Sequence, residues 1–494
     1  MTNLIMDKGP LLDRVAVIKE ASLQDLFIEE KTEERLVGNI YKGRVVNVLP
    51  GMQAAFVDIG HRKNGYLYIK DAIPFDQKRD GFKDKRIQDY VKAGQELFVQ
   101  VIKPPIEDKG PRLTTNLSIT GRYSVVSPMD QFVGVSKKIN DGDKRKALKK
   151  IAKENVPQGI GCVIRTEAGR VDEDLISKDL NYLIQVWNRI KREAHLGKTP
   201  RLIHQDLTLH FRVLRDSIHG DVDTIKVNDE LLYEELKRYL KHFMPTYEER
   251  LLLSEDGPLI FENQGVENQI EQLMQPLVPL SKGGSLIIEE TKALTSIDVN
   301  SGRYVGNSQL EATILETNLK AAHEAMRQIR LRNISGIIVI DFIDMSKKKQ
   351  RKEVMDVLKK VALEDTMQVD VLGFTQLGLL ELSRKKSQNS LQEITHTECP
   401  VCRGIGQVAS ETQIANRLLK EVERIAQHTN SEAAVFQIDS KTHTYLERGS
   451  VIRIEDIEQL YEMAVTFDIH ENVGSCYFKL KFMGRKSDVG KFTK

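Results

Sequence analysis

The sequence predicts a multidomain α+β protein. Three observations carry that expectation: its length, a run of short strands ending near residue 103, and a strand–helix–strand unit within residues 284–345. A chain of 494 residues exceeds what one hydrophobic core normally spans, so three or more domains are expected. Apolar content of 40% beside 29% charged residues is a soluble, globular composition. No stretch approaches the roughly eighteen apolar residues of a membrane helix. MTNLIMDKGP lacks the basic region and apolar core of a secretory signal. The cysteines, Cys162, Cys399, Cys402 and Cys476, are too few for a disulfide framework and fit a reducing cytoplasm. The 73 basic and 71 acidic residues nearly cancel. Two basic runs, KKINDGDKRKALKK (137–150) and SKKKQRK (346–352), read as solvated helix faces or as footprints for a polyanion.

In chain order, NIYKGRVVNV reads as a strand, LPGM as a turn and QAAFVDIG as a second strand. NGYLYI and ELFVQVIKPP continue the run, separated by a polar insertion at 76–90. Five short strands of this kind predict a small closed barrel of the oligonucleotide-binding type. Beyond residue 120, DKRKALKKIAKENV reads as a helix stopped by Pro157, IGCVIRTEAG as a strand, and EDLISKDLNYLIQVWNRIKREA as a long amphipathic helix. HFRVLRD and TIKVND read as strands, and ELLYEELKRYLKHF as a helix. SLIIEETKALTSIDVN reads as a hairpin turning near Thr291 and Lys292. Ser308 and Glu311 have capping-box spacing. They open a helix with an apolar stripe of Leu315, Leu319, Ala322, Met326 and Ile329. GIIVIDFI follows as a nearly all-apolar strand, so the unit is a right-handed crossover between parallel strands.

That crossover places Asp298 and Asp341 near the carboxyl ends of neighbouring strands, where α/β sheets build their sites. Both read as interior carboxylates, and strand alternation sets Asn300 on the face of Asp298. A desolvated carboxylate needs a cation, a proton or hydrogen-bond donors. Two of them, with coordination positions left open, suit Mg2+ acting on a phosphoryl oxygen. The competing reading makes each aspartate a turn cap or an acceptor for backbone N–H groups. Cys399-Pro-Val-Cys402, followed by Gly404 and Gly406, has the spacing of half a tetrahedral metal site. His396, other groups or a second copy of the chain would complete it. A redox pair is the rival, and the chain preceding the motif is not a thioredoxin-like βαβ unit. Cys162 and Cys476 read as core residues.

Together these residues resemble the ribonuclease E/G family of bacterial endoribonucleases. NIYKGRVVNVLPGMQAAFVDIG, RLTTNLSITGRY, TSIDVNSGR, IIVIDFIDM, LGLLELSRKK and CPVCRGIGQ follow in that family's order. The resemblance covers residues 36–410, and the ending soon after a small domain looks like the short, ribonuclease G type. It implies an S1 barrel over 36–119 and a 5′-sensor domain over 120–209, both inserted into an RNase H-like domain (1–35 and 210–274). A DNase I-like catalytic domain (275–395), a zinc-link (396–408) and a small C-terminal domain (409–494) would follow. Asp298 and Asp341 would bind Mg2+, with Asn300 orienting Asp298 or the attacking water. Cleavage of single-stranded, A/U-rich RNA would leave 5′-phosphate and 3′-hydroxyl ends. Cys399 and Cys402 would hold Zn2+ shared with a partner protomer, giving a homodimer and, at the next level, a dimer of dimers.

The resemblance also implies that Phe56 and Tyr66 stack bases and that Lys109 contacts a phosphate, although Phe56 in AAFVDIG reads on its own as barrel core. Gly121, Val125, Arg165 and Thr166 match the pocket for a 5′-monophosphate. Gln368 stands where that pocket has an arginine, which puts 5′-end dependence in doubt. Asp206 and Asp216 form no metal constellation. Two rivals remain: a non-catalytic RNA-binding scaffold, which has no need of both Asp298 and Asp341, and a metal-dependent nuclease acting on DNA.

Overall fold

Strands Ile40–Leu49, Ala54–Asp58, Gly65–Tyr68, Arg112–Thr114 and Glu96–Lys103 pair in that order, and the last returns to the first, so the predicted barrel closes. This is seen in a computed structural model that describes residues 1–31, 35–74, 85–105, 109–218, 222–281, 283–301, 310–386, 389–402, 404–448, 453–470 and 478–492. Alternation drives Val45, Val57, Leu67, Val99 and Leu113 into the barrel. Gly65 is needed there, because a Cβ would stand 2.3 Å from the Leu113 side chain.

A second sheet unites distant parts of the chain. Thr2–Lys8, Leu12–Lys19 and Ser22–Glu30 form an antiparallel meander, and Thr224–Val227 joins the first of them in parallel. Helices Leu209–Ser217 and Glu230–Phe243 cover one face through Val213, Leu236 and Leu240 against Leu4 and Met6. The predicted strand HFRVLRD is therefore a helix. Its arginines misled the pattern: Arg212 is buried against Glu29, and Arg215 against Asp206 and Asp216, so charge does not mark the solvent face.

Between barrel and second sheet, strands Ser124–Ser127 and Gly161–Ile164 pack on helices Gly142–Asn155 and Glu173–Ala194. Cys162 lies in this core, its thiol pushed up to about 12 by burial. Both basic runs lie largely on exposed helix faces, within Gly142–Asn155 and Lys348–Ala362.

The third large sheet runs Leu277–Pro279, Ser285–Glu290, Thr295–Asn300, Gly336–Asp341, Leu380–Arg384, Val369–Phe374. The hairpin turns at Thr291 to Leu294, and Thr295–Asn300 pairs in parallel with Gly336–Asp341. Helices Leu310–Leu331 and Lys348–Ala362 bury one face through Ala322, Met326, Ile329, Val354 and Leu358 against Ile297, Ile338, Ile340 and Leu382. Ser308 lies outside the described residues.

Residues 1–392 form one compact unit and 393–494 another. In the second, strand Ala433–Ile438 lies between parallel Ala464–Ile469 and antiparallel Lys479–Gly484, against helix Glu411–His428. Cys476 lies outside the described residues, as do residues 475–477 of the expected strand SCYFKLKFM. No described helix is long and apolar enough to cross a membrane.

Candidate active site

In strand Thr295–Asn300, Thr295, Ile297 and Val299 are buried while Ser296, Asp298 and Asn300 point away from the helices. Strand Gly336–Asp341 alternates likewise, with Ile338 and Ile340 inside and Asp341 outside. Both carboxylates are exposed, which corrects the expectation of interior ones. An all-apolar strand suggested burial on both faces, yet Ile337 is itself 56% exposed, and only one face carries helices among the described residues. The pairing register sets Asp298 directly opposite Asp341. Neighbouring strands lie about 4.8 Å apart, and like charges facing each other at that spacing destabilise a sheet.

Asn300 Nδ2 donates to Asp298 Oδ2 at 2.7 Å, fixing that carboxylate. The chain beyond Asp341 is held from the crossover helix by Asn318. Its Nδ2 donates to the Ile343 carbonyl at 2.8 Å, and its Oδ1 accepts from the Ile343 N–H at 3.1 Å. The sequence reading missed Asn318. Asn318 is wholly buried and stands at the i+3 position from Leu315 of the apolar stripe, but its bonds to Ile343 are tertiary and left no signal in the sequence. Two carboxylates on an open face, with no third acidic, His or Cys group completing a cluster among the described residues, suit a cation that keeps most of its waters.

On the barrel, Phe56 and Tyr66 alternate with inward residues and so face outward, in register across two strands. Their rings meet edge to face at 5.9 Å, so Phe56 is not barrel core. Lys109 is exposed, two residues before Pro111, whose carbonyl accepts from the Tyr66 N–H at 2.7 Å. It is carried on a segment that passes so close to the strand that a Cβ on Gly110 would stand 1.9 Å from the Asn64 carbonyl oxygen.

Gly121 and Arg165 are brought together: Arg165 Nη1 donates to the Gly121 carbonyl at 2.7 Å, and Nη2 to Asp216 Oδ1 at 2.8 Å. A Cβ on Gly121 would collide with the Asp179 carboxylate at 2.5 Å. Asp179 accepts from the N–H groups of Arg122 and Tyr123 and from Ser124, and burial pushes its carboxyl up. Burial opposes ionisation of Asp216 most strongly, but the hydrogen bonds and charges of Arg215 and Arg165 together hold that carboxyl below its ordinary value. Asp206 and Asp216 thus face arginines. Thr166 is hydrogen-bonded to Ser136 at 2.9 Å, and Val125 pairs with Thr120 and Val163. Gln368 lies at the edge of the third sheet, its amide bonded to Asp370.

Cys399 and Cys402 share one turn, with Gly404 at φ +79° and the Ile405 N–H donating to the Cys402 carbonyl. The backbone N–H groups of Cys402 and Val401 hold the Cys399 thiol below its ordinary value, favouring the thiolate that a metal binds. His396 is exposed and hydrogen-bonded to Thr395. A cavity of about 550 Å³ lies between the barrel, Gly121 and Tyr239. Neither aspartate of the pair lines it.

The ribonuclease E/G family model matches residues 118–387, and a model described as the RNase E/G thioredoxin-like domain matches 398–483. The latter fold begins at the cysteine pair and lies after it, whereas the sequence reading looked for it before. Ribonuclease G of Haemophilus influenzae is 36% identical over 448 residues, covering 90% of this chain and 91% of that protein. Ribonuclease G of Escherichia coli K12 is 38% identical over 427 residues, covering 85% and 87%. Ribonuclease E of Nostoc is 37% identical over 395 residues, covering 79% of this chain and 57% of that one. A solution structure of GSP13 from Bacillus subtilis aligns with 17% of this chain and 56% of its own at 25% identity, with a TM-score of 0.14. With the family's model spanning more than half of the sequence and relatives matching nearly end to end, the chain belongs to the ribonuclease E/G family of endoribonucleases.

Proposed function

We propose that this endoribonuclease is Mg2+-dependent and cuts single-stranded, A/U-rich RNA to leave 5′-phosphate and 3′-hydroxyl ends, in rRNA and tRNA processing and in mRNA decay. The observation that supports this best is the register of Asp298 opposite Asp341, two exposed carboxylates whose mutual repulsion a shared cation would relieve. When bound there, Mg2+ supplies a Lewis acid for a phosphoryl oxygen of the scissile bond. Asn300 keeps the Asp298 carboxylate in one rotamer, and Asn318 fixes the backbone after Asp341. Phe56 and Tyr66 stack bases, and Lys109 meets a backbone phosphate. In this reading the sheet joining Thr2–Lys8 to Thr224–Val227 is an RNase H-like platform, and the sheet bearing the aspartates belongs to a DNase I-like catalytic domain. The enzyme works in the cytoplasm.

The direct test compares ribose and deoxyribose versions of one A/U-rich strand with Mg2+. The RNA is expected to be cut and the DNA left intact; equal cutting makes the chain a general nuclease, and binding without cutting makes it a scaffold.

Sensing of the RNA 5′ end by Gly121, Val125, Arg165 and Thr166 is expected to be weak. Arg165 already serves Asp216 and Gly121, and Gln368 supplies no positive charge. One charge-assisted contact is worth about 1.5 kcal/mol, so 5′-monophosphorylated RNA is expected to be cut about tenfold faster than its 5′-hydroxyl form. Equal rates would remove end sensing altogether.

Cys399 and Cys402 supply two thiolates to a tetrahedral Zn2+ whose other ligands come from a second copy, with a dimer of dimers as the larger assembly. Light scattering on a Cys399→Ser, Cys402→Ser chain should then give the mass of a monomer. A double variant that stays dimeric would place the interface elsewhere.

A further inference from the structure

We infer that Tyr68 is a third base-contact residue, and that Tyr66 and Tyr68 together hold one nucleobase of single-stranded RNA between their rings. The inference rests on reading the outer barrel face as the RNA-binding face, and adds to it a subsite that Phe56 and Tyr66 do not make.

In GYLYI the strand Gly65–Tyr68 buries Leu67 in the barrel and sets both half-buried tyrosines on the other side of the strand, with Tyr68 also packed against the core cluster. Their rings are nearly parallel, 10° apart, with centres separated by 6.5 Å. That spacing follows from the backbone: a strand rises about 3.3 Å per residue, so residues i and i+2 stand about 6.6 Å apart. Stacked bases repeat at about 3.4 Å, and a base between two rings needs twice that. The 6.5 Å between the ring centres of Tyr66 and Tyr68 is thus close to the separation that one planar group between them would need.

The surroundings differ between the two rings. Phe56 lies opposite Tyr66 and braces it edge to face, whereas the residue opposite Tyr68 is the wholly buried Ala54, and Tyr68 is seated against the barrel core. The far end of the strand is anchored, since the Ile69 N–H donates to the Gln53 carbonyl at 2.9 Å. Because both rings are held parallel in the free protein, little ordering is left to be done on binding. Exposed Lys109, on the segment beside Tyr66, lies where the backbone phosphate of the held nucleotide would pass.

The test uses a single-stranded oligoribonucleotide carrying one 2-aminopurine, with the full-length chain and its Tyr68→Ala, Tyr68→Leu, Tyr68→Phe and Tyr66→Ala variants. Tyr68→Ala and Tyr68→Leu are expected to weaken binding roughly five- to a hundredfold and to lose the quenching of 2-aminopurine. Tyr68→Phe should restore both, which separates stacking from barrel packing, since leucine also fills the half-buried site. In cleavage, KM should rise in step with the loss of affinity while kcat holds. If Tyr66→Ala weakens binding and Tyr68→Leu binds like the native chain, the paired-ring subsite is overturned and the RNA-binding face stands. If neither variant changes affinity, the reading of that face fails, and the inference with it.

Discussion

Asp298→Asn and Asp341→Asn are each expected to slow RNA cleavage by at least about a thousandfold while RNA affinity is unchanged. A divalent cation at a phosphoryl centre is worth several kcal/mol of barrier, and about 1.4 kcal/mol is tenfold in rate. In the proposed reading RNA is gripped on the barrel, which keeps its aromatics in either variant. A second readout separates catalysis from structure. Facing carboxylates repel in the metal-free protein, so removing one charge should raise metal-free stability by roughly 0.2–1 kcal/mol. An aspartate serving as a turn cap or a backbone acceptor would instead cost stability when replaced. Urea unfolding in EDTA decides the matter: destabilised asparagine variants would return both residues to structural roles. Retained cleavage would move the active site.

Arg384→Met is expected to cost roughly 3–5 kcal/mol, the penalty for stranding a buried charge by deleting its partner. Arg384 Nε donates to Asp365 Oδ2 at 2.9 Å and Nη2 to Asp365 Oδ1 at 3.2 Å, with both side chains only 2–3% exposed. Nη1 donates to Asn333 Oδ1 at 2.8 Å and to the Ile334 carbonyl at 3.1 Å. These bonds tie the strand Leu380–Arg384 to the turn that launches Gly336–Asp341, and Arg384 lies opposite Gly336 in the register. The substitution should lower the urea midpoint of the catalytic unit and, below that midpoint, raise the Mg2+ needed for half-maximal rate as the Asp341 strand loosens. The partner change Asp365→Asn, made together with Arg384→Met, should recover part of the loss. A midpoint shift worth under about 1 kcal/mol would show the pair to be solvated.

Strand periodicity and glycine placement made the barrel legible, because its strands alternate cleanly and Gly65 is demanded by the close approach of Leu113. The parallel crossover was legible for a related reason: only a helix of that length, with that stripe, joins two such strands. What failed was inference from residue polarity. LHFRVLRDS is a helix whose arginines are buried in ion pairs, Arg215 with neighbouring Asp216 and nearby Asp206, and Arg212 with Glu29 from a strand that no local window includes. GIIVID looked buried on both faces, but Ile337 and Asp341 share an open one, so the carboxylates were placed at the right strand ends with the wrong burial. Asn318 and Asp216 act through tertiary hydrogen bonds to Ile343 and Arg165, which spacing along the chain does not encode. Tyr68 was present as alternation in GYLYI, and the parallel rings became visible only with coordinates.

The sheet that pairs Asn3 with Thr224 imposes a schedule on synthesis. At roughly 5–20 residues per second, the partner strand leaves the ribosome on the order of ten to forty seconds after the first one. Throughout that interval the meander 2–30 can form, but the outer edge of Thr2–Lys8 has no neighbour, while the barrel is already complete in the chain that has emerged. An open edge of that kind invites pairing with other nascent chains. Slower translation across residues 36–223 would lengthen the exposure, and a chaperone that shields strand edges would act most on this protein before Thr224 appears.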